Sequence, residues 1–185
     1  MGMKRGFTMI ETILVLVIIG VVAAIGLPRL DAFKYRSDGT AVMIRSLLMQ
    51  AQREAVVGQH DLIVSIDTLK HRMVLGFDKD NDGTVEASER IRTQALPENS
   101  KFASPPQPLG TSGLTNYGAI YAEGLKSVSN MPSVVFRRDG SVSSALELYT
   151  TSVLKRAKDF RVTSVVQATG RTEFLRYDGK SWVRQ

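Results

Sequence analysis

Residues 4–30 read KRGFTMIETILVLVIIGVVAAIGLPRL, and this stretch decides where the rest of the chain must sit. From Ile13 to Leu27 it carries no charge, and Phe7, Met9 and Ile10 extend the apolar character toward the N-terminus. At about 1.5 Å rise per residue, a helix from Phe7 to Leu27 covers roughly 30 Å, the thickness of a bilayer's hydrocarbon core. Lys4 and Arg5 precede the run. A cationic flank tends to stay cytoplasmic, so the bulk of the chain is expected on the far side of the membrane. A cleaved secretory signal and a plain signal anchor share these features. Glu11 distinguishes the stretch from both, because a carboxylate inside an apolar helix costs on the order of 3 kcal/mol at the bilayer centre and usually marks a specific partner. Cleavage between Gly6 and Phe7 would create an α-amino group one helical turn from Glu11, a cation for that carboxylate. Pro28 lacks an N–H and, with Gly26 two residues before it, is expected to bend or loosen the helix.

These residues resemble the class III leader of type IV prepilins and type II secretion pseudopilins. The resemblance implies that a membrane-embedded prepilin peptidase cuts after Gly6 and that the amine of Phe7 is methylated. It also implies that Glu11 meets the N-terminal amine of a neighbouring subunit during assembly, and that Pro28 is the helix-kinking proline of the family.

The whole chain has 185 residues, 43% of them hydrophobic and 23% charged, which suits one folded domain plus an appendage. Beyond Pro28, Ile44, Leu47, Leu48, Ala51 and Ala55 fall at helical spacing and form one apolar stripe, with Arg45, Gln52 and Arg53 directed elsewhere. Ser37-Asp38-Gly39-Thr40 is expected to interrupt or kink that helix, since Gly is costly in a helix interior and Asp or Thr favours a fresh cap. Gly58 is the expected stop. Residues 62–67 (LIVSID) and 71–77 (HRMVLGF) then read as a strand pair with a turn at 68–70. Further strands are expected at 90–94, 134–136, 141–149, 160–167, 172–177 and 181–184, with Asp139-Gly140 and Asp178-Gly179 as tight turns. The stretch 97–132 holds five of the six prolines and reads as a long, partly irregular surface loop.

A long helix followed by antiparallel strands is an α+β arrangement that resembles the pilin fold, and within it the GspH/FimT-type minor subunits. The segments that carry this are LLMQAQREAVVGQHDLIVSID (47–67), FDKDNDGTVEASERIR (77–92), VVFRRDGSV (134–142) and VVQATGR (165–171). The implied organisation is a leader at 1–6, a transmembrane and assembly helix at 7–28, an amphipathic helix at 29–60 and a mainly β domain at 61–185. The implied partners are a prepilin peptidase, other pilin or pseudopilin subunits and the inner membrane. The N-terminus would be cytoplasmic and the C-terminal domain periplasmic until the subunit enters a filament.

Residues 78–89 read DKDNDGTVEASE and place Asp78, Asp80 and Asp82 at positions 1, 3 and 5 of a twelve-residue loop, with Gly83, Thr84, Glu86 and Glu89 at positions 6, 7, 9 and 12. This is the ligand spacing of an EF-hand loop, in which hard oxygens surround Ca²⁺ and glycine permits the sharp turn. Strands, not helices, are expected on either side. Five carboxylates within twelve residues repel one another in the absence of a cation. The bland alternative is a solvated hairpin turn.

Catalysis finds little support: there is no Cys, no HExxH, no GxSxG and no phosphate-binding glycine loop, and His60 and His71 are the only histidines. No small-molecule substrate is expected. DNA is a candidate partner, because some minor pilins of this type bind it through a basic C-terminal segment. Arg171, Arg176, Lys180 and Arg184, with Tyr177 and Trp182 for base stacking, would form that face. Thr172-Glu173 stands where the pattern would have a second positive charge. A strand edge guarded by charge explains the same residues.

Overall fold

A computed structural model of the chain describes residues 8–26, 32–86, 88–111 and 113–184. Gly6, Phe7 and Pro28, and with them the cleavage, methylation and kink expectations, lie outside the described residues. The chain divides into two units, Met1–Ala32 and Phe33–Gln185.

The first unit holds helix α1, Met9–Gly26. Every large apolar side chain from Met9 to Val22 is exposed. Among the described residues no helix is long and apolar enough to cross a membrane. The 18 described residues of α1 fall short of the roughly 20 that a span takes, and the neighbouring apolar Phe7 and Leu27 are outside the described part.

Helix α2 (Ala32–Gly58), all but its first residue in the second unit, leads into twelve strands among the described residues. These are β1 (Asp61–Asp67), β2 (Arg72–Asp78), β3 (Ile91–Ala95), β4 (Ser100–Phe102), β5 (Thr115–Asn116), β6 (Ile120–Ala122), β7 (Lys126–Val128), β8 (Met131–Phe136), β9 (Leu146–Ser152), β10 (Arg161–Val165), β11 (Thr172–Tyr177) and β12 (Trp182–Arg184). All pairings are antiparallel and build two sheets, β3-β2-β1-β8-β7 and β12-β11-β10-β9-β6-β5, with β4 also paired to β9. The α+β expectation of a helix packed on antiparallel strands is borne out, with two sheets in place of one.

The stripe of Ile44, Leu47, Leu48, Ala51 and Ala55 is buried, as its periodicity requires. It packs in a single core with Leu62, Val64 and Ile66 of β1, Met73, Leu75 and Phe77 of β2, and Ile120, Leu146 and Leu148 from the second sheet. Each buried Leu or Ile contributes about 1.5–3 kcal/mol, so this shared core is what holds the helix and both sheets together.

The interruption expected at Ser37–Thr40 does not occur: α2 is continuous through it. Tertiary contacts outweigh the local preference. The Thr40 hydroxyl donates to the Arg36 carbonyl at 2.9 Å and lies 2.7 Å from Ser100 Oγ. Asp38 accepts from the fully buried Arg161, whose guanidinium also donates to the carbonyls of Lys34, Lys158 and Phe160.

The 97–132 loop is also corrected, since it contains β4, β5, β6 and β7 and contributes Phe102, Ile120 and Ala122 to the core. The strand expected at 141–149 begins only at Leu146. Residues 142 and 143 instead carry the chain between sheets, the Val142 amide donating to the Gln167 carbonyl and the Ser143 amide to Val135.

Candidate functional site

Glu11 is the one candidate assembly residue within the described part. Thr8 and Glu11 form a reciprocal cap at the start of α1: the Glu11 amide donates to the Thr8 hydroxyl at 3.3 Å, and the Thr8 amide donates to Glu11 Oε2 at 3.0 Å. This is a capping box, and its T-x-x-E signature was present in the sequence beside the more conspicuous feature of a carboxylate in an apolar run. The same carboxylate therefore has a local task in starting the helix.

The acidic loop folds over β2. Gly76 makes room for it, because a Cβ there would come within 2.3 Å of the Val85 side chain. Asp78, Asp80 and Asp82 converge, each offering a carboxylate oxygen within 4.8 Å of the others. Asp78 is fully buried. Burial pushes its carboxyl above the ordinary range; amide donation from Gly83 acts against this, and the neighbouring Asp80 carboxyl pushes the same way as burial. Asp82 is held below the ordinary range by the Thr84 amide and hydroxyl.

For Ca²⁺ the fit is therefore partial. Three hard oxygens lie together around a carboxylate that a cation would relieve. Glu89, the expected bidentate ligand, is differently employed: one oxygen accepts from the Lys79 amide at 2.7 Å and the other from the Glu86 amide at 3.0 Å, closing the loop. The Thr84 amide and hydroxyl serve Asp82, and neither Glu86 nor Glu89 belongs to the converging set of carboxylates.

The C-terminal basic residues do not form one face. Arg171 and Arg184 come together, but on Glu173, which they contact at 2.7 and 2.9 Å through its two oxygens. Side chains alternate along β11, so Arg176 points to the opposite face from Glu173. Lys180 is exposed in the turn after β11. Tyr177 and Trp182 are not free to stack on bases. Their rings lie 5.1 Å apart, Trp182 also packs on Tyr149, and its Nε1 donates to the Gln107 carbonyl. Arg45 of α2 joins Arg171, Glu173 and Arg184 around a cavity of about 190 Å³, a neighbour that the sequence did not assign to this group.

The two histidines are kept apart. His60 precedes β1 and packs against Phe77, and His71 precedes β2 and packs against Phe102, so they stand at opposite ends of the β1–β2 hairpin.

No curated protein matches the chain. Among solved structures, two of the minor pseudopilin EpsH from the type 2 secretion system of Vibrio cholerae are similar. One is 13% identical with a TM-score of 0.48, covering 76% of this chain and 97% of that one. The other is 14% identical with a TM-score of 0.49, covering 76% and 94%. Likeness at this level does not carry a functional argument. The first 27 residues match the family described as "Prokaryotic N-terminal methylation motif", and the N-terminus of this chain is of prepilin type.

Proposed function

We propose that this chain is a minor subunit of a prepilin-type filament, either a type II secretion pseudopilus or a type IV pilus, and that its role is assembly, not catalysis. The observation that carries the reading is the match of residues 1–27 to the N-terminal methylation motif. The exposed apolar surface of α1 supports it, because a helix of this kind needs lipid or other helices around it. In this reading a prepilin peptidase cuts between Gly6 and Phe7, the new amine is methylated, and the segment anchors the subunit in the inner membrane with the β domain outside. On assembly, Glu11 neutralises the Phe7 amine of an adjacent subunit in a low-dielectric setting, where an unpaired amine would be far costlier than in water.

Mass spectrometry of the chain expressed with and without a prepilin peptidase tests this. The expected result is an N-terminus at Phe7 bearing one methyl group, only when the peptidase is present. An intact N-terminus, or cleavage beyond the apolar run, would sink the filament reading. The proposal is not extended to a DNA receptor, since Glu173 engages both Arg171 and Arg184 and the aromatic side chains nearby are packed.

A further inference from the structure

The outward ridge of α2 alternates apolar and basic residues. Val42, Arg45, Met49, Arg53 and Val57 succeed one another at spacings of three or four, which places them in one strip along the helix. All five are exposed. Shallow cavities of about 640 and 400 Å³ run along the strip and share Val42, Ser46 and Gln50. A third, of about 590 Å³, continues it past Arg53 to Lys79 and Arg90; Glu54, which accepts from the Gln50 amide, is the one carboxylate lining these three cavities, against five cations. The result is a trough floored by α2, with Arg92 of β3 on one side and the Arg171–Glu173–Arg184 group on the other. Among the described residues Arg45, Arg53 and Arg92 enter no ion pair.

We propose that this trough docks an acidic amphipathic helix of a different polypeptide, one that presents carboxylates two turns apart with apolar residues between them. For where that partner is met, the proposal rests on the reading of the chain as a filament subunit. Arg45 and Arg53 are eight residues apart, about 12 Å along the helix, which a facing helix with the same spacing of Glu or Asp would match. Met and Arg are enriched in protein interfaces, and the interleaved Val42, Met49 and Val57 give such a partner something to bury. A second copy of this chain brings the same arginines against these, and like charges facing each other disfavour that contact. A nucleic acid would leave the apolar Val42, Met49 and Val57 against phosphates.

The test uses the full chain in detergent micelles and fluorescence anisotropy with a labelled, alanine-based helical peptide carrying Glu at positions eight apart and Leu between them. The same peptide with Gln for Glu, and a labelled DNA duplex, serve as the comparisons. The Glu peptide is expected to bind, the Gln peptide at least about tenfold more weakly, and the double variant Arg45→Glu/Arg53→Glu to lose at least about tenfold in affinity for the Glu peptide. Both arginines are exposed, and an unchanged melting temperature of the variant excludes misfolding. No binding of the Glu peptide, or equal binding of both peptides, overturns the proposal. Preference for the duplex, lost in the same variant, overturns it in favour of nucleic acid. Processing at Gly6 is a separate readout: loss of peptide binding with normal processing removes only this proposal, while binding without processing removes only the filament reading.

Discussion

Asp38 of α2 and Arg161 of β10 form an ion pair of 2.5 Å across 123 residues of sequence, and the guanidinium is wholly buried. It ties the first turns of α2 to the second sheet. Removing the carboxylate takes away the buried cation's one hydrogen-bonded anion, leaving the carbonyls of Lys34, Lys158 and Phe160 and the charge of nearby Asp159. Asp38→Ala is therefore expected to lower stability by about 3–5 kcal/mol, the usual cost of breaking a buried pair from one side. Urea unfolding measures this, and a loss below about 1 kcal/mol would mean that the pair behaves like a surface ion pair.

Gln52 holds two turns together, its amide donating to the Gly140 carbonyl at 2.8 Å and to the Thr169 carbonyl at 2.7 Å. Gln52→Ala should cost about 1–3 kcal/mol, as expected when both carbonyls lose their donor. Gly170→Ala should also destabilise. Gly170 has φ +62, and its added Cβ would lie 2.3 Å from the Gln52 amide and 2.8 Å from the Gly140 carbonyl oxygen. Because the second clash is with backbone, the Gly170→Ala penalty should persist in a Gln52→Ala background. Full rescue in the double variant would show that the side chain alone was in the way.

The two tasks of Glu11 separate by substitution. Gln can replace Glu in a capping box but brings no charge. Glu11→Gln should therefore keep the helix start and lose filament incorporation, while Glu11→Ala should lose both. Circular dichroism of the micelle-bound chain reports the first property and co-sedimentation with assembled filaments the second. Normal incorporation of the Gln variant would remove the charge from the mechanism.

The carboxyl of Asp67 is held below its ordinary range, first by the Lys70 amide and then by Arg72, which closes the β1–β2 turn at 2.9 Å. A depressed folded-state pKa contributes stability that is present above the unfolded value and lost as pH falls through the folded one. Asp67→Asn should thus destabilise by about 1 kcal/mol at pH 7, with the difference from wild type shrinking below roughly pH 4. Urea midpoints of both proteins at pH 7 and pH 3 measure it, and a difference independent of pH would place the effect elsewhere.

The acidic loop is expected to take Ca²⁺ only weakly, in the range of about 0.1–1 mM typical of extracellular modules, because Glu89 is committed to the backbone. Calorimetry on the full chain should show this binding, and Asp80→Asn/Asp82→Asn should abolish it. Glu89→Ala should loosen the loop even without the ion. Absence of heat at millimolar Ca²⁺ would leave the loop as a turn organised by its own amides.

Period alone revealed the buried stripe of α2 and the β1–β2 pair, because long elements repeat their pattern often enough to be read. The spacing of Asp78, Asp80 and Asp82 likewise foretold their convergence. What escaped was tertiary. Gly39 looked like a break because its neighbours' partners, Ser100 and Arg161, are remote in sequence. β5 and β6 have two and three residues, too few for alternation to show among the prolines and glycines around them. The helical period directs Gln52 away from the apolar stripe but could not show that it bridges two turns remote in sequence. At the C-terminal face, counting cations could not show that Glu173 sits between two of them.

The place of β8 beside β1 has a consequence for the order in which the chain folds. The β1–β2–β3 hairpins are local and can form early, but β1 waits for a strand far along the chain, as the Ser65–Ser133 hydrogen bond across 68 residues marks. Contacts of such separation are slow to form, since the entropy of closing the intervening loop is lost before they contribute. Until the segment ending at Phe136 arrives, one edge of β1 stands open and able to pair with a wrong strand. A chaperone that covered the free edge of β1 during that interval would suppress such mispairing.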